Sequence, residues 1–230
     1  MAKICYNCGI ELNKENYSVE HVPAKNLYDD LDDTFKINRI TVPACKRCNG
    51  IYSKIDQEVR DVLAIKNDNI DEKKELTRKG VKSILLRSNW KNRTYTDELG
   101  NVTAVNFNYE DLKQIHIKNF KALFFRKYGI PLPQDYLIEI YTIGDEKFIQ
   151  FAQPMHNYVR FGKEWEVSGH KDVFKFILKD ITLDEEKGIY SKSGDTSKSV
   201  GVAAVLVYYD DIAAVVVTAQ KDYIEKCKPQ

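Results

Sequence analysis

The sequence predicts an α+β fold, and three observations predict it. Two C-x-x-C pairs, Cys5/Cys8 and Cys45/Cys48, enclose short apolar pieces of strand length. After the second pair, apolar residues recur at helical steps. From Pro131 onward, branched and aromatic runs mark strands, with a long aliphatic pair near the end. The chain divides accordingly into a small module at 1–66, a basic helical connector at 67–93 and a mostly antiparallel, β-rich C-terminal domain at 94–230.

Within the module, Ile4, Ile10 and Leu12 flank the first cysteine pair, and Ile40 and Val42 precede the second. Ile51, Ile55, Val59 and Val62 then follow at steps of 4, 4 and 3, which predicts one buried helical stripe. A second helix is expected from Ile70 to Leu86, with Asn69 as cap and Glu72 three residues on. Glu98-Leu99-Gly100-Asn101 reads as a hairpin turn. A third helix is expected from Tyr109 to Tyr128, lined by Ile117, Phe120, Phe124 and Tyr128 and stopped by Gly129. Strands are expected at Tyr136–Ile143, Lys147–Phe151, Val173–Leu178, Val202–Tyr208 and Ile212–Thr218, the last two joined at Asp210-Asp211. Ser191–Ser199 is polar and rich in Gly and Ser, the composition of a loop.

Composition narrows the class. The chain has 230 residues, is 43% hydrophobic and carries 14 Tyr, 10 Phe and 2 Trp, enough for a sizeable core. No apolar run approaches the roughly 18 residues of a membrane span, and the start has no signal-peptide character. A cytosolic protein is expected, where cysteines at this spacing read as metal ligands rather than disulfides. The fifth cysteine, Cys227, reads as a free thiol. Net charge is only +1, but it is unevenly placed: −1 over residues 1–64, +6 over 65–130 and −4 over 131–230. The basic excess follows the cysteine module, where a polyanion is best held.

Four thiolates in two turns make a closed tetrahedral site, so Cys5, Cys8, Cys45 and Cys48 are expected to bind structural Zn²⁺. Gly9 and Gly50 suit the tight turns. Such an ion contributes roughly 10–16 kcal/mol in small zinc modules, which lets a short segment fold with little core.

Between the two pairs lies Glu20-His21-Val22-Pro23-Ala24-Lys25-Asn26-Leu27-Tyr28, and the second pair sits in Thr41-Val42-Pro43-Ala44-Cys45-Lys46-Arg47-Cys48-Asn49, followed by Ser53-Lys54-Ile55-Asp56. Together these strings resemble the HNH endonucleases over residues 5–60. The resemblance implies a ββα-metal, treble-clef-like core and phosphodiester hydrolysis. It implies His21 as general base, Glu20 and Asn49 as ligands of catalytic Mg²⁺ or Mn²⁺, and Asn38 as the residue that steadies the loop bearing the base. The chemistry suits the residue types. A neutral imidazole accepts a proton near pH 7, and Mg²⁺ takes oxygen ligands while keeping several waters. The last position holds Asn49 where many relatives have His. This reading requires the side chains at 20, 21 and 49 to face one cleft.

Arg47, Lys54, Lys73, Lys74, Arg78 and Lys82 are candidate phosphate contacts, and double-stranded DNA is the expected partner. The same residues are also compatible with a solvated helix face. The run Asp29, Asp30, Asp32 and Asp33 reads as a solvated loop, and His116, His156 and His170 as structural or surface residues. The aliphatic C-terminal hairpin would suit a homodimer contact. Two other readings stand beside the DNA endonuclease: a zinc-stabilised module that binds nucleic acid or protein without catalysis, and a ribonuclease.

Overall fold

The computed structural model describes residues 3–29, 31–66, 74–88, 90–142, 145, 165–184, 188–191, 199–209 and 212–221. The chain opens with strand β1 (Tyr17–Val22), which pairs antiparallel with β2 (Ile40–Cys45). Two short 3-10 turns, Lys25–Tyr28 and Asp33–Lys36, connect these strands. Helix α1 (Lys46–Ile51) starts directly from β2, and α2 (Ser53–Lys66) follows after Tyr52. Next come α3 (Lys74–Leu86), the hairpin β3 (Thr94–Thr96) and β4 (Val102–Val105), and the long helix α4 (Tyr109–Tyr128). The remaining strands are β5 (Tyr136–Thr142), β6 (Glu166–Val167), β7 (Phe174–Asp184), β8 (Gly188–Ser191), β9 (Ser199–Tyr208) and β10 (Ile212–Gln220). They form an antiparallel sheet in the order β5-β10-β9-β7-β6, with β8 paired to β7.

The chain is thus mixed α and β, as its patterning implies. Helix α4 has the expected bounds for local reasons. The Asn108 side chain accepts from the Glu110 N–H at its start, and Gly129, at φ +73°, donates its N–H to the Phe125 carbonyl at its end. The predicted turn at 98–101 is likewise local: the Asp97 carboxylate accepts from the N–H groups of Leu99 and Asn101, with Gly100 at φ +82°.

One expectation needs correction. The stripe Ile51–Ile55–Val59–Val62 is not one buried line, because the chain turns at Tyr52 between two helices and leaves Ile51 exposed. From residue 58 onward α2 is instead buried through Glu58, Val59, Arg60, Asp61, Leu63 and Ala64, being packed between α3 and α4. The connector helix begins in the described residues at Lys74, while Asn69 and Glu72 lie outside them. The strand expected at 147–151, the segment 192–198, Asp30, Asp210-Asp211, His156 and Cys227 also lie outside the described residues.

The cysteine module and the C-terminal sheet share one apolar core. Cys5, Tyr6, Val22 and Val42 belong to the same cluster as Leu123 of α4 and Phe176, Leu206 and Val216 of the sheet. Polar ties reinforce the contact. The Ser168 hydroxyl accepts from the Ile40 N–H at 2.8 Å and donates to the Val22 carbonyl, while Tyr28 Oη donates to the Ser168 carbonyl at 2.5 Å. Gly169, at φ +68°, lets the backbone pass so close that a Cβ would lie 2.6 Å from the Phe35 carbonyl oxygen. Strands β9 and β10 each have a neighbour on both sides, so the aliphatic hairpin offers no free edge to a second chain.

His116 of α4 is fully buried, as a structural histidine should be. Its Nδ1 lies 3.3 Å from Tyr208 Oη, and its Nε2 has no partner. Burial lowers its pKa to about 3. The folded chain therefore holds His116 neutral, whereas the unfolded chain binds a proton below about 6.5. This contribution to stability is intact above that value and is lost as pH falls toward 3, by roughly 1.4 kcal/mol per pH unit. Denaturant titrations of wild type and His116→Gln between pH 6.5 and 4 should show a shallower acid decline in the variant. Equal slopes would contradict the buried neutral imidazole.

Candidate metal centre and catalytic face

The sulfurs of Cys5, Cys8, Cys45 and Cys48 all lie within 4.8 Å of one another, and Cys8 Sγ stands 3.9 Å from Cys45 Sγ. Four sulfurs about 2.3 Å from a tetrahedral zinc lie roughly 3.8 Å apart, so these residues can hold one zinc ion. The first turn closes through Gly9, at φ +73°, whose N–H donates to the Cys5 carbonyl at 2.9 Å. In the second, Cys45 is the N-cap of α1 and its sulfur accepts from the Cys48 N–H at 3.3 Å. Asn7 Nδ2 lies 3.4 Å from Cys48 Sγ, a contact that suits a thiolate. The Tyr6 N–H donates to the Pro43 carbonyl at 2.9 Å, so the first turn is also pinned to β2 by backbone. The cluster therefore ties the N-terminus, the hairpin and the first helix at one point.

Strand alternation places the next set. Ser18, Glu20 and Val22 share the inner face of β1, while Tyr17, Val19 and His21 share the other. Asn49, on α1, donates its Nδ2 to Ser18 Oγ at 2.9 Å. Glu20 and Asn49 are therefore on one side of the hairpin, and the neighbouring His21 projects from the opposite face. His21 is half-buried. Desolvation lowers its pKa, and the charges of Arg39, Lys25 and Lys118 lower it further, so the imidazole is held neutral. Asn38 is exposed at the turn before β2, in the left-handed conformation (φ 58°) that asparagine tolerates better than most residues. Its carbonyl accepts from the Gly169 N–H at 3.4 Å.

What faces Glu20 comes from a helix far along the chain. Lys118, from α4, is entirely buried and reaches back to the hairpin. Its Nζ is 3.2 Å from Glu20 Oε1 and 2.7 Å from both carboxylate oxygens of Asp56 on α2. The Tyr52 ring centre lies 5.8 Å from the same ammonium. Burial raises the pKa of Glu20 and of Asp56, and Lys118 acts against that rise in both. Glu20 Oε2 is buried with no hydrogen-bond partner. Tyr6 Oη also lacks one, and burial, then the charge of Glu20, raises its pKa. A lysine in this place was detectable only as a cation within the apolar helical spacing of Ile115 and Ala122.

Arg47, Lys54, Lys74, Arg78 and Lys82 are all exposed, and Lys73 lies outside the described residues. On α3 the basic residues do not form a purely polar track. Arg78 pairs with Glu75, and exposed Leu85 and Leu86 set apolar surface among the charges. In the acidic run, Asp29 pairs with Lys79 at 3.2 Å, Asp32 caps a 3-10 turn through Thr34, and Asp33 pairs with Lys36 at 2.9 Å. His170 stacks on Phe35 with ring centres 4.1 Å apart. No helix among the described residues is long and apolar enough to cross a membrane.

No protein-family model, curated protein or solved structure matches the chain. The family resemblance thus stands on the residues alone. If the four thiols hold one ion at this junction, Cys45→Ser should lose the bound zinc and melt at a markedly lower temperature. Metal analysis and a thermal melt check this, and unchanged zinc content would contradict the assignment.

Proposed function

We propose that the chain is a metal-dependent, HNH-type endonuclease that hydrolyses phosphodiester bonds in DNA. The observation that carries this reading is the shared side of Glu20 and Asn49, brought together by a hairpin and a helix start that meet at four cysteines. Asn49 uses its nitrogen on Ser18, which leaves its oxygen as the end suited to a cation. Glu20 Oε2 is a buried acceptor without a donor, which also fits a cation. Glu20 and Asn49 would hold Mg²⁺ or Mn²⁺. When bound, such an ion supplies positive charge to the scissile phosphate and to the leaving 3′ oxygen.

His21 would accept the proton of the attacking water, a role its lowered pKa suits. It projects from the face of β1 opposite Glu20, however, so residues 20, 21 and 49 do not share the single cleft that the sequence reading requires. Arg39 and Lys25, the charges that bear on His21, would favour a phosphate beside it. Exposed Arg47 and Lys54 on the first two helices would contact backbone phosphates with little regard to sequence.

A second reading is favoured by one specific observation: Lys118 already pairs with Glu20, and His21 projects from the other face of β1. A zinc-stabilised module that binds nucleic acid without cutting it has that arrangement at no cost. Supercoiled plasmid incubated with Mg²⁺ or Mn²⁺ separates the two readings. Wild type should nick it, and His21→Ala, still folded and zinc-loaded, should lose roughly 10²–10⁴-fold in rate, the usual worth of a general base. Undiminished nicking by His21→Ala would remove the imidazole from the chemistry, and binding of the plasmid without nicking by wild type would leave the second reading.

A further inference from the structure

Lys118 lies outside the segment that resembles a nuclease, yet its ammonium reaches into the middle of it. The surroundings make an unbalanced account of charge and hydrogen bonds. Two carboxylates, Glu20 and Asp56, share one ammonium. The side chains of Glu20 and Lys118 are 5% and 0% exposed and that of Asp56 12%, so solvent does little to relieve the excess negative charge. Both Asp56 oxygens are taken by Lys118, but Glu20 uses only Oε1, and its Oε2 is buried without a donor. Asn26 adds a second orphan. Its Nδ2 donates to the Asp56 carbonyl at 3.1 Å, while its Oδ1 is buried with no partner. Two of the unpaired atoms are acceptor oxygens, the Tyr6 hydroxyl is a third, and the two carboxylates have a single ammonium between them.

We propose that Lys118 is a built-in cation that shares the Glu20 and Asp56 carboxylates with a divalent ion, which makes Asp56 part of the ion-binding set and Lys118 the positioning residue that sets how tightly the ion is held. The ion is of the hard, oxygen-seeking class, such as Mg²⁺ or Mn²⁺, because every free donor here is an oxygen. Lys118 keeps the two acids together before the ion arrives. It also opposes the ion electrostatically, so that binding is weak and reversible. Residues 1–66 on their own would lose the ammonium that pairs both acids, so the nuclease-like module depends on α4.

This inference rests on the reading of Glu20 as an ion ligand, and the test keeps the two apart. Zinc-loaded full-length protein is titrated with Mn²⁺ in divalent-free buffer, and free Mn²⁺ is followed by electron paramagnetic resonance. Wild type should bind weakly, and Glu20→Gln should abolish binding. Lys118→Met should bind at least about tenfold more tightly, since it removes a unit positive charge in contact with the ligands. Asp56→Asn should bind at least about tenfold more weakly, and it serves as the informative variant should Lys118→Met fail to fold. A lysine with a purely structural role would weaken Mn²⁺ binding or leave it unchanged when removed. If Glu20→Gln abolishes binding while Lys118→Met and Asp56→Asn both match wild type, this inference fails and the ligand role of Glu20 stands. If no variant, nor wild type, binds Mn²⁺, both fail.

Discussion

The convergence of four sulfurs at the junction of hairpin and helix is the constraint on which the rest of the chain depends. A two-stranded hairpin is marginal alone, and the six-residue α1 is far too short to hold itself together. Cys5, Cys8, Cys45 and Cys48 convert both into a fixed frame, because the last strand residue of β2 is also the cap of α1. Once Cys45 is fixed, Glu20 is fixed through the register opposite Val42, and Asn49 through its turn of helix against Ser18. The cysteine cluster and the hydrogen-bonded backbone thus act together with the shared apolar core in fixing this segment.

The second organising interaction is ionic and comes from elsewhere in the sequence. A lysine with no exposed surface is tolerated only when its charge is matched, and here Glu20 and Asp56 match it from two elements of the cysteine-built frame. Helix α4 therefore has two tasks. Its apolar side, with Leu112, Ile115 and Leu123, packs into the common core, and its polar residues His116, Lys118 and Asn119 are all buried as well. Asn119 donates to Tyr208 Oη at 2.6 Å, which ties the same helix to β9. Helix α4 is thus one link between the site and the sheet, and the Ser168 bonds to Val22 and Ile40 are another.

What was legible in the sequence was what is local. The cysteine pairs, the bounds of α4 set by Asn108 and Gly129, and the aliphatic runs of β9 and β10 are all governed by residues close in the chain. What was not legible depends on distant partners. Lys118 looks like an ordinary solvated cation until Glu20 and Asp56 are placed around it. The break at Tyr52, which exposes Ile51, is invisible to a periodicity that counts straight through it. Adjacent positions in the sequence also misled: Glu20 and His21 read as a pair, but successive residues of a strand project to opposite faces. Asn38 reads equally well as a backbone choice, since its left-handed turn favours asparagine whatever its side chain does.

The central claim is that Glu20, Asp56 and Asn49 together hold one divalent ion beside Lys118. A crystal of the zinc-loaded protein soaked with Mn²⁺, with anomalous data collected at the manganese and zinc edges, tests it most directly. The account predicts a manganese peak within coordination distance of Glu20 and beside Lys118, together with a separate zinc peak among the four sulfurs. Manganese found only at surface acids, with the Glu20–Lys118–Asp56 group undisturbed and ion-free, would contradict it.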